Sequence, residues 1–270
     1  MPLPNFVIIG AMKSGTSTLH SNLQLHPEIG MSKFKEPSYF NHQYKNKDIE
    51  WYKNLFNREY KVNGESSPNY SKKQTHPGTA ERMYKVMPNV KIIYLTREPV
   101  NRIKSHLHHN LYRDRLKSSN VKEALRNDRN FILTSSYNYQ IEDYLKYFEK
   151  SQFLFITTEG LKKNPNYTLN KICDFLEVDN FDFTSKTIPR NQSSDKYLIK
   201  YYDQARSILP KKLMKLYHWF FYFLSIKIKR PEFDHETKEF LRSELSSDIA
   251  KFRETSGLEL KEWDFFKENN

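Results

Sequence analysis

The chain reads as an α/β protein: a three-layer, P-loop-like fold with a central parallel sheet flanked by helices. Three observations carry that prediction. The apolar bursts at 6–9, 91–96 and 153–156 are of strand length and rich in β-branched or aromatic residues. Segments with apolar residues at helical spacing separate them, and parallel strands require such crossovers. The first burst also runs into a turn of small residues and then a helical pattern, the local form in which helix N-termini meet phosphate.

Taken in order, strand 6–9 gives way to a loop, 10–15, that packs Gly10, Lys13, Ser14 and Gly15 into six residues. From Thr16, the positions Leu19, Leu23 and Leu25 suit a helix opened by hydroxyl residues that can cap it. His26 and Pro27 stop the pattern, and 28–35 is expected to be loop. Lys33, Lys35 and Glu36 then lead into Tyr39 and Phe40. Asp48 opens an amphipathic helix whose candidate buried positions are Ile49, Trp51, Tyr52 and Leu55.

Residues 60–65 suit a second short strand, ending at Ser66, Ser67 and Pro68. A helix is expected over 77–87, with Pro77 in its first turn. Strand 91–96 ends in Arg97, and Pro99 suits the start of a helix reaching about Tyr112. A long aromatic-rich helix is expected over 134–150, a strand at 153–156 and a helix over 166–177. Residues 178–195 read as irregular and polar, and 197–229 alternates basic with bulky apolar residues. An amphipathic helix after Pro231 closes the chain with a tail containing Trp263. In parallel sheets ligands lie at the carboxyl ends of the strands, which gathers the loops after Ile9, Glu65 and Thr96 at one edge.

The balance of 44 basic against 32 acidic residues leaves a net charge of +12, which favours an anionic partner: a nucleotide, a sulfated or acidic glycan, nucleic acid or anionic lipid. A single cysteine excludes an internal disulfide framework and a multi-cysteine metal site. Cys173 shares helical spacing with Leu169, Ile172 and Leu176, as a core residue does. There is no apolar run of 18 residues, no charged-then-apolar leader at the start, no repeat and no Gly/Ser linker. These features lead to the expectation of one domain over 1–270 and a cytoplasmic protein. The burst around 217–224 is open to burial, to walling an acceptor site, or to peripheral membrane contact through 213–224.

Two motifs carry chemistry. Nucleoside triphosphatases place lysine after the second glycine of the loop, whereas here Lys13 precedes Gly15, so the phosphate cradle survives and the kinase register does not. The second motif starts at Arg97, whose planar donor fork suits a phosphate. Ser105 follows eight residues later, inside the expected helix, with Asn101 one turn before it on the same face.

Together these motifs resemble the sulfotransferases that use 3′-phosphoadenosine 5′-phosphosulfate (PAPS), most closely the branch of heparan sulfate N- and 3-O-sulfotransferases and their bacterial relatives. The resemblance covers roughly residues 5–112 well. It runs through Leu25 to Glu28, Glu36 to Phe40, Trp51 with Tyr52, and Gly64 to Tyr70. It implies that Lys13, Ser14, Gly15, Thr16, Ser17 and Thr18 hold the 5′-phosphosulfate, with Lys13 also catalytic. Arg97 and Ser105 would hold the 3′-phosphate, and Arg190 and Lys196 would belong to a late basic loop closing over it. Glu36 falls on the family's catalytic base, which takes a proton from an acceptor hydroxyl or amine. The implied cofactor is PAPS, giving 3′-phosphoadenosine 5′-phosphate (PAP) as product, with no metal. A carbohydrate is the implied acceptor, and no specific nucleic-acid partner is expected. The chain departs from the pattern at Ser66, where the glycan enzymes often carry lysine; Lys72 and Lys73 are the candidate substitutes. The cluster His106, His108 and His109 offers a rival base. A small-molecule or nucleotide kinase and a non-catalytic basic binding module remain the alternative readings.

Overall fold

A computed structural model of the chain describes residues 2–57, 59–112, 121–184, 196–198, 226–266 and six positions between 208 and 217. Its centre is a five-stranded parallel sheet formed by β1 (Phe6–Gly10), β2 (Ile29–Met31), β3 (Val62–Ser66), β4 (Lys91–Thr96) and β5 (Phe153–Thr157), in the order β2-β3-β1-β4-β5. From β1 the chain crosses to the edge strand β2, steps back to β3 beside β1, then passes across β1 to β4 and β5. The reversal puts a crevice beside the carboxyl end of β1, where doubly wound sheets bind ligands.

Both faces of the sheet are buried, and the alternation along each strand divides them. Val7, Ile9, Ile92, Tyr94, Phe153 and Phe155 face one core, while Phe6, Ile8, Ile93, Leu95, Leu154 and Ile156 face the other. The second core is closed by α1 (Thr16–Leu23) and by α9 (Pro165–Leu176), which places Cys173 fully inside it. The first core is larger. It takes side chains from α3 (Thr79–Val86), α4 (Pro99–Tyr112), α7 (Tyr137–Leu145) and α10 (His235–Ser256), and it includes Trp263, which is fully buried as a tail anchor. The short helices α2 (Ile49–Lys53), α5 (Val121–Asn127) and α6 (Asn130–Leu133) lie in the crossovers, and α8 (Thr158–Lys163) follows β5 directly.

Three expectations change. The stretch expected to be loop over 28–35 contains β2, an edge strand that pairs Ile29 with Val62. Its three residues are too few to show a period. The strand expected at 60–65 is therefore the third strand of the chain. The long helix expected over 134–150 is α7 alone, preceded by α6. The serines between them take other work: Ser136 stands at the helix N-cap position, and the Ser135 hydroxyl accepts from Arg102. Within the expected alternating segment, β6 (Lys196–Leu198) and β7 (Ile226–Ile228) pair antiparallel and lie alongside α4. Almost all of the aromatic burst at 217–224 falls outside the described residues. Asp48 caps α2 as expected, its carboxylate accepting from the Trp51 amide, and α4 begins at Pro99 and ends at Tyr112.

Candidate active site

The loop between β1 and α1 is shaped by main chain. Gly10 lies so close to Ser71 that an added Cβ would sit 2.0 Å from its hydroxyl. Gly15 has φ 92° and occupies the N-cap position of α1, and Lys13 adopts φ 71°. The hydroxyl cap expected from the sequence is absent, because Gly15 has no side chain and Thr16 is already helical. The first amides of α1 therefore have no side-chain cap. Ser14 is fully buried, and its Oγ has no hydrogen-bond partner among the described residues. Thr158, at the start of α8, fixes the loop from the neighbouring strand: its hydroxyl donates to the Ser14 carbonyl at 2.5 Å and lies 2.8 Å from the Thr96 carbonyl.

The second motif meets the first here. Arg97 follows β4 and donates through Nη1 to the Lys13 carbonyl at 3.4 Å, so the two basic turns share one edge of the sheet. Its buried Nε has no partner among the described residues. Tyr137 clamps the Arg97 peptide, donating its hydroxyl to the carbonyl at 2.6 Å. Burial holds the Arg97 guanidinium below its ordinary pKa, and the charge of Arg230 pushes the same way. Ser105 lies part-buried on α4 with Asn101 one turn earlier. Glu98 caps that helix through the amides of Val100 and Asn101, at 3.1 and 2.6 Å.

A second arginine, not singled out by its sequence pattern, lies beneath the loop. Arg102 is fully buried and donates to the Ser135 hydroxyl at 2.5 Å and to the carbonyls of Phe131 at 2.6 Å and Met12 at 3.4 Å. Burial brings its pKa down to about 10, so it stays charged on neutral oxygens at neutral pH. The buried, unpartnered Ser14 Oγ and Arg97 Nε, the uncapped amides and this concentration of cations are the donor set an anionic phosphosulfate requires. Buried charge five residues beyond Arg97 on a helix was the signal available for Arg102; it could not be told from surface charge.

Glu36 reaches the same edge from the loop after β2, tied to the end of β3. Its amide donates to the Ser66 carbonyl at 3.2 Å, and Ser66 is paired with Ile8 of β1. The Glu36 carboxylate is 44% exposed and ion-paired with Lys35 at 2.5 Å. Glu36 and Ser38, on either side of Pro37, both adopt left-handed backbone, with φ 62° and 54°. Ser66 itself is fully buried. Of the two candidate substitutes for the missing lysine, Lys73 is turned away. It pairs with Glu142 at 3.0 Å and lies 3.9 Å over the Tyr139 ring. Lys72 bears electrostatically on His106 and His76.

Two of the three rival histidines are poorly placed for proton abstraction; His109 is half-buried near the end of α4. His106 is buried against Phe131, with ring centroids 4.6 Å apart, and burial first, then Arg102, drives its pKa well below the ordinary value. His108 is also buried. Arg190 lies outside the described residues. Lys196 is placed by its backbone only, at the start of β6 opposite Ile228.

The comparisons with known proteins agree with this architecture. The family model described as "Sulfotransferase domain" matches residues 3–252. The chain belongs to the sulfotransferase family. A membrane-associated sulfotransferase of Dictyostelium discoideum is 26% identical, over 80% of this chain and 66% of its own length. A mouse heparan sulfate glucosamine 3-O-sulfotransferase is 29% identical, over 64% of this chain and 52% of its own. The chain thus spans about half to two thirds of these curated relatives. A crystal structure of a sulfotransferase from Alicyclobacillus acidocaldarius superposes with a TM-score of 0.71 at 24% identity, over 97% of this chain and 99% of that one. A mouse sulfotransferase crystallised with PAP superposes with a TM-score of 0.53 at 19% identity, over 94% and 89%. At these identities the solved structures speak for the fold.

Proposed function

We propose that the protein is a PAPS-dependent sulfotransferase acting on a hydroxyl or amine, with a carbohydrate as acceptor. The observation that carries this reading is the meeting of Arg97 with the Lys13 carbonyl. It joins two phosphate-binding turns beside an exposed carboxylate, Glu36, anchored on the adjoining strand.

When bound, PAPS supplies the sulfuryl group and PAP is the product. Lys13 and the first amides of α1 hold the phosphosulfate end and offset the charge that grows there during transfer. Arg97 and Ser105 grip the 3′-phosphate, with Lys196 and Arg190 contributing from the later segment. Glu36 takes the acceptor proton, a role that suits an exposed carboxylate better than a buried histidine. Support for a carbohydrate acceptor comes from the heparan sulfate relative and from the net charge of +12.

The test has two arms. PAP should raise the melting temperature more than Mg-ATP does, and failure to bind PAP would overturn the proposal. The second arm follows 35S from labelled PAPS into a panel of glycans, lipids and phenols. Glu36→Gln should keep the PAP-induced stabilisation and lose transfer by roughly 10²–10⁴-fold.

A further inference from the structure

We infer that Glu65, a buried carboxylate that faces no substrate, is the positioning residue for Glu36; the inference rests on Glu36 being the base. The loop that carries Glu36 turns through two left-handed non-glycine residues, each costing on the order of 1–2 kcal/mol. Such a conformation persists only where the surroundings over-determine it. Here three alternate amides of the loop are fixed on the segment after β3. The Glu36 amide donates to the Ser66 carbonyl, the Ser38 amide to the Ser67 hydroxyl at 3.0 Å, and the Phe40 amide to the Tyr70 hydroxyl at 3.3 Å.

The last two contacts depend on Glu65. Ser67 donates its hydroxyl proton to Glu65 Oε2 at 2.6 Å, and Tyr70 donates to Oε1 at 2.8 Å. A hydroxyl committed to donating in that direction presents its lone pairs to the amide behind it. The carboxylate therefore sets the polarity of two relays, each running from amide to hydroxyl to carboxylate. Tyr52 donates a third hydroxyl to Oε1 at 2.7 Å; its ring packs on Tyr39 and Phe40, a contact that Tyr52→Phe keeps, but its hydroxyl bonds to no loop amide. Glu65 and its two tyrosines are buried, so the relay has little water to replace a lost partner. Burial pushes the Glu65 pKa upward, against the pull of the three hydroxyls and of Lys35. The chain thus uses one glutamate at the surface and one in the core, the second acting only through the first.

The test compares Glu65→Gln, Ser67→Ala and Tyr70→Phe with wild type, and uses Tyr52→Phe as the variant that touches Glu65 but neither relay. Hydrogen exchange is followed at the amides of Ser38 and Phe40, and transfer of 35S from PAPS is followed to the best member of the acceptor panel or, if none accepts, to water as released sulfate. Glu65→Gln should speed exchange at both amides by about tenfold or more, although it contacts neither. It should lower the transfer rate by about 10–100-fold, the size expected when a reacting group is misplaced by about 1 Å, with KM for PAPS within about twofold. Ser67→Ala should expose chiefly Ser38, Tyr70→Phe chiefly Phe40, and Tyr52→Phe neither. In a Glu36→Gln background the Glu65→Gln loss of rate should vanish. Exchange and rate unchanged in Glu65→Gln would overturn the inference. A fully active Glu36→Gln would overturn the base assignment instead, and the exchange arm would still decide whether Glu65 holds the loop.

Discussion

The two halves of the site are built by different means. On the phosphate side, the β1–α1 loop and the β4–α4 turn place charge with residues close in sequence, and the parts are main-chain amides, Lys13 and Arg97. On the side of the proposed base, Glu36 is held by contacts that reach about thirty residues along the chain, through hydroxyls that donate to a buried carboxylate. Each anion-binding turn is defined by local sequence, although folding must bring Arg97 to Lys13 from 84 residues away. The loop of the proposed base has no such local definition.

The strongest way to break this contrast is to remove one charge from the phosphate side. Lys13→Ala should lower transfer by roughly 10²–10³-fold, the size of losing one donor to developing charge. Hydrogen exchange at Ser38 and Phe40 should stay as in wild type. A Lys13→Ala protein that transfers normally, or one whose base loop exchanges faster, would show that the halves are not separable in this way.

Arg97 gives the next effect. Charge-assisted hydrogen bonds contribute about 1.5–3 kcal/mol each, so Arg97→Ala should weaken PAP binding by roughly 10–150-fold, read by calorimetry. Arg97→Lys should restore only part of it, since an ammonium cannot present a planar fork. Full recovery by lysine would mean that only the charge at this position matters.

The same contrast explains what the sequence disclosed. Lys13, Arg97 and Ser105 sit in strand–turn–helix patterns whose periods and spacings are visible without a structure. The parallel sheet was legible for the same reason, because β1, β4 and β5 are buried on both faces and read as continuous apolar runs, whereas β3, Val-Asn-Gly-Glu-Ser, does not. Edge strand β2 was not, being three residues long with Gly30 at its centre. Arg102 and Glu65 were illegible as buried groups: a charged residue in sequence is taken for solvated surface unless its partners are known. Those partners, Phe131, Ser135 and Met12 for Arg102, and Tyr52, Ser67 and Tyr70 for Glu65, are assembled only by folding. Glu36 was legible through resemblance, but its left-handed turn was not.

Gly10 sharpens the contrast at the level of stability. A methyl group there would meet Ser71 Oγ at 2.0 Å and Tyr94 at 3.0 Å, in a packed core that has little room to give. Gly10→Ala should cost about 1–3 kcal/mol by overpacking, visible as a shifted urea midpoint with an unchanged slope. At Gly15 a new methyl would make only ordinary van der Waals contacts, with Thr158 at 3.9 Å and Leu95 at 4.0 Å, so the cost of Gly15→Ala comes from the φ of 92°, about 1–2 kcal/mol. Gly10→Ala should therefore be at least as destabilising as Gly15→Ala, and the reverse order would show that backbone strain, and not packing, governs this loop.

The smallest effect is on pH dependence. On the phosphate side the Arg97 and Arg102 guanidinium groups keep their charge through the acid range, while His106 beside them is held neutral by burial. Beside the base loop, His76 packs edge-on against His42 with ring centroids 4.4 Å apart. Burial first, then the charges of His42, Lys72 and Arg82, lower its pKa from 6.5 to about 4. A histidine whose folded pKa is depressed contributes stability that is present above the unfolded value, near 6.5, and is lost as the pH falls toward 4. His76→Gln cannot gain that proton, so its melting temperature should fall less steeply than that of wild type between pH 6.5 and 4, while matching it closely at pH 7.5. Arg97→Ala should keep the wild-type slope across the same window, because its guanidinium does not titrate there. Equal slopes for wild type and His76→Gln would mean that His76 is free to charge in the folded protein and adds nothing to the acid sensitivity of this loop.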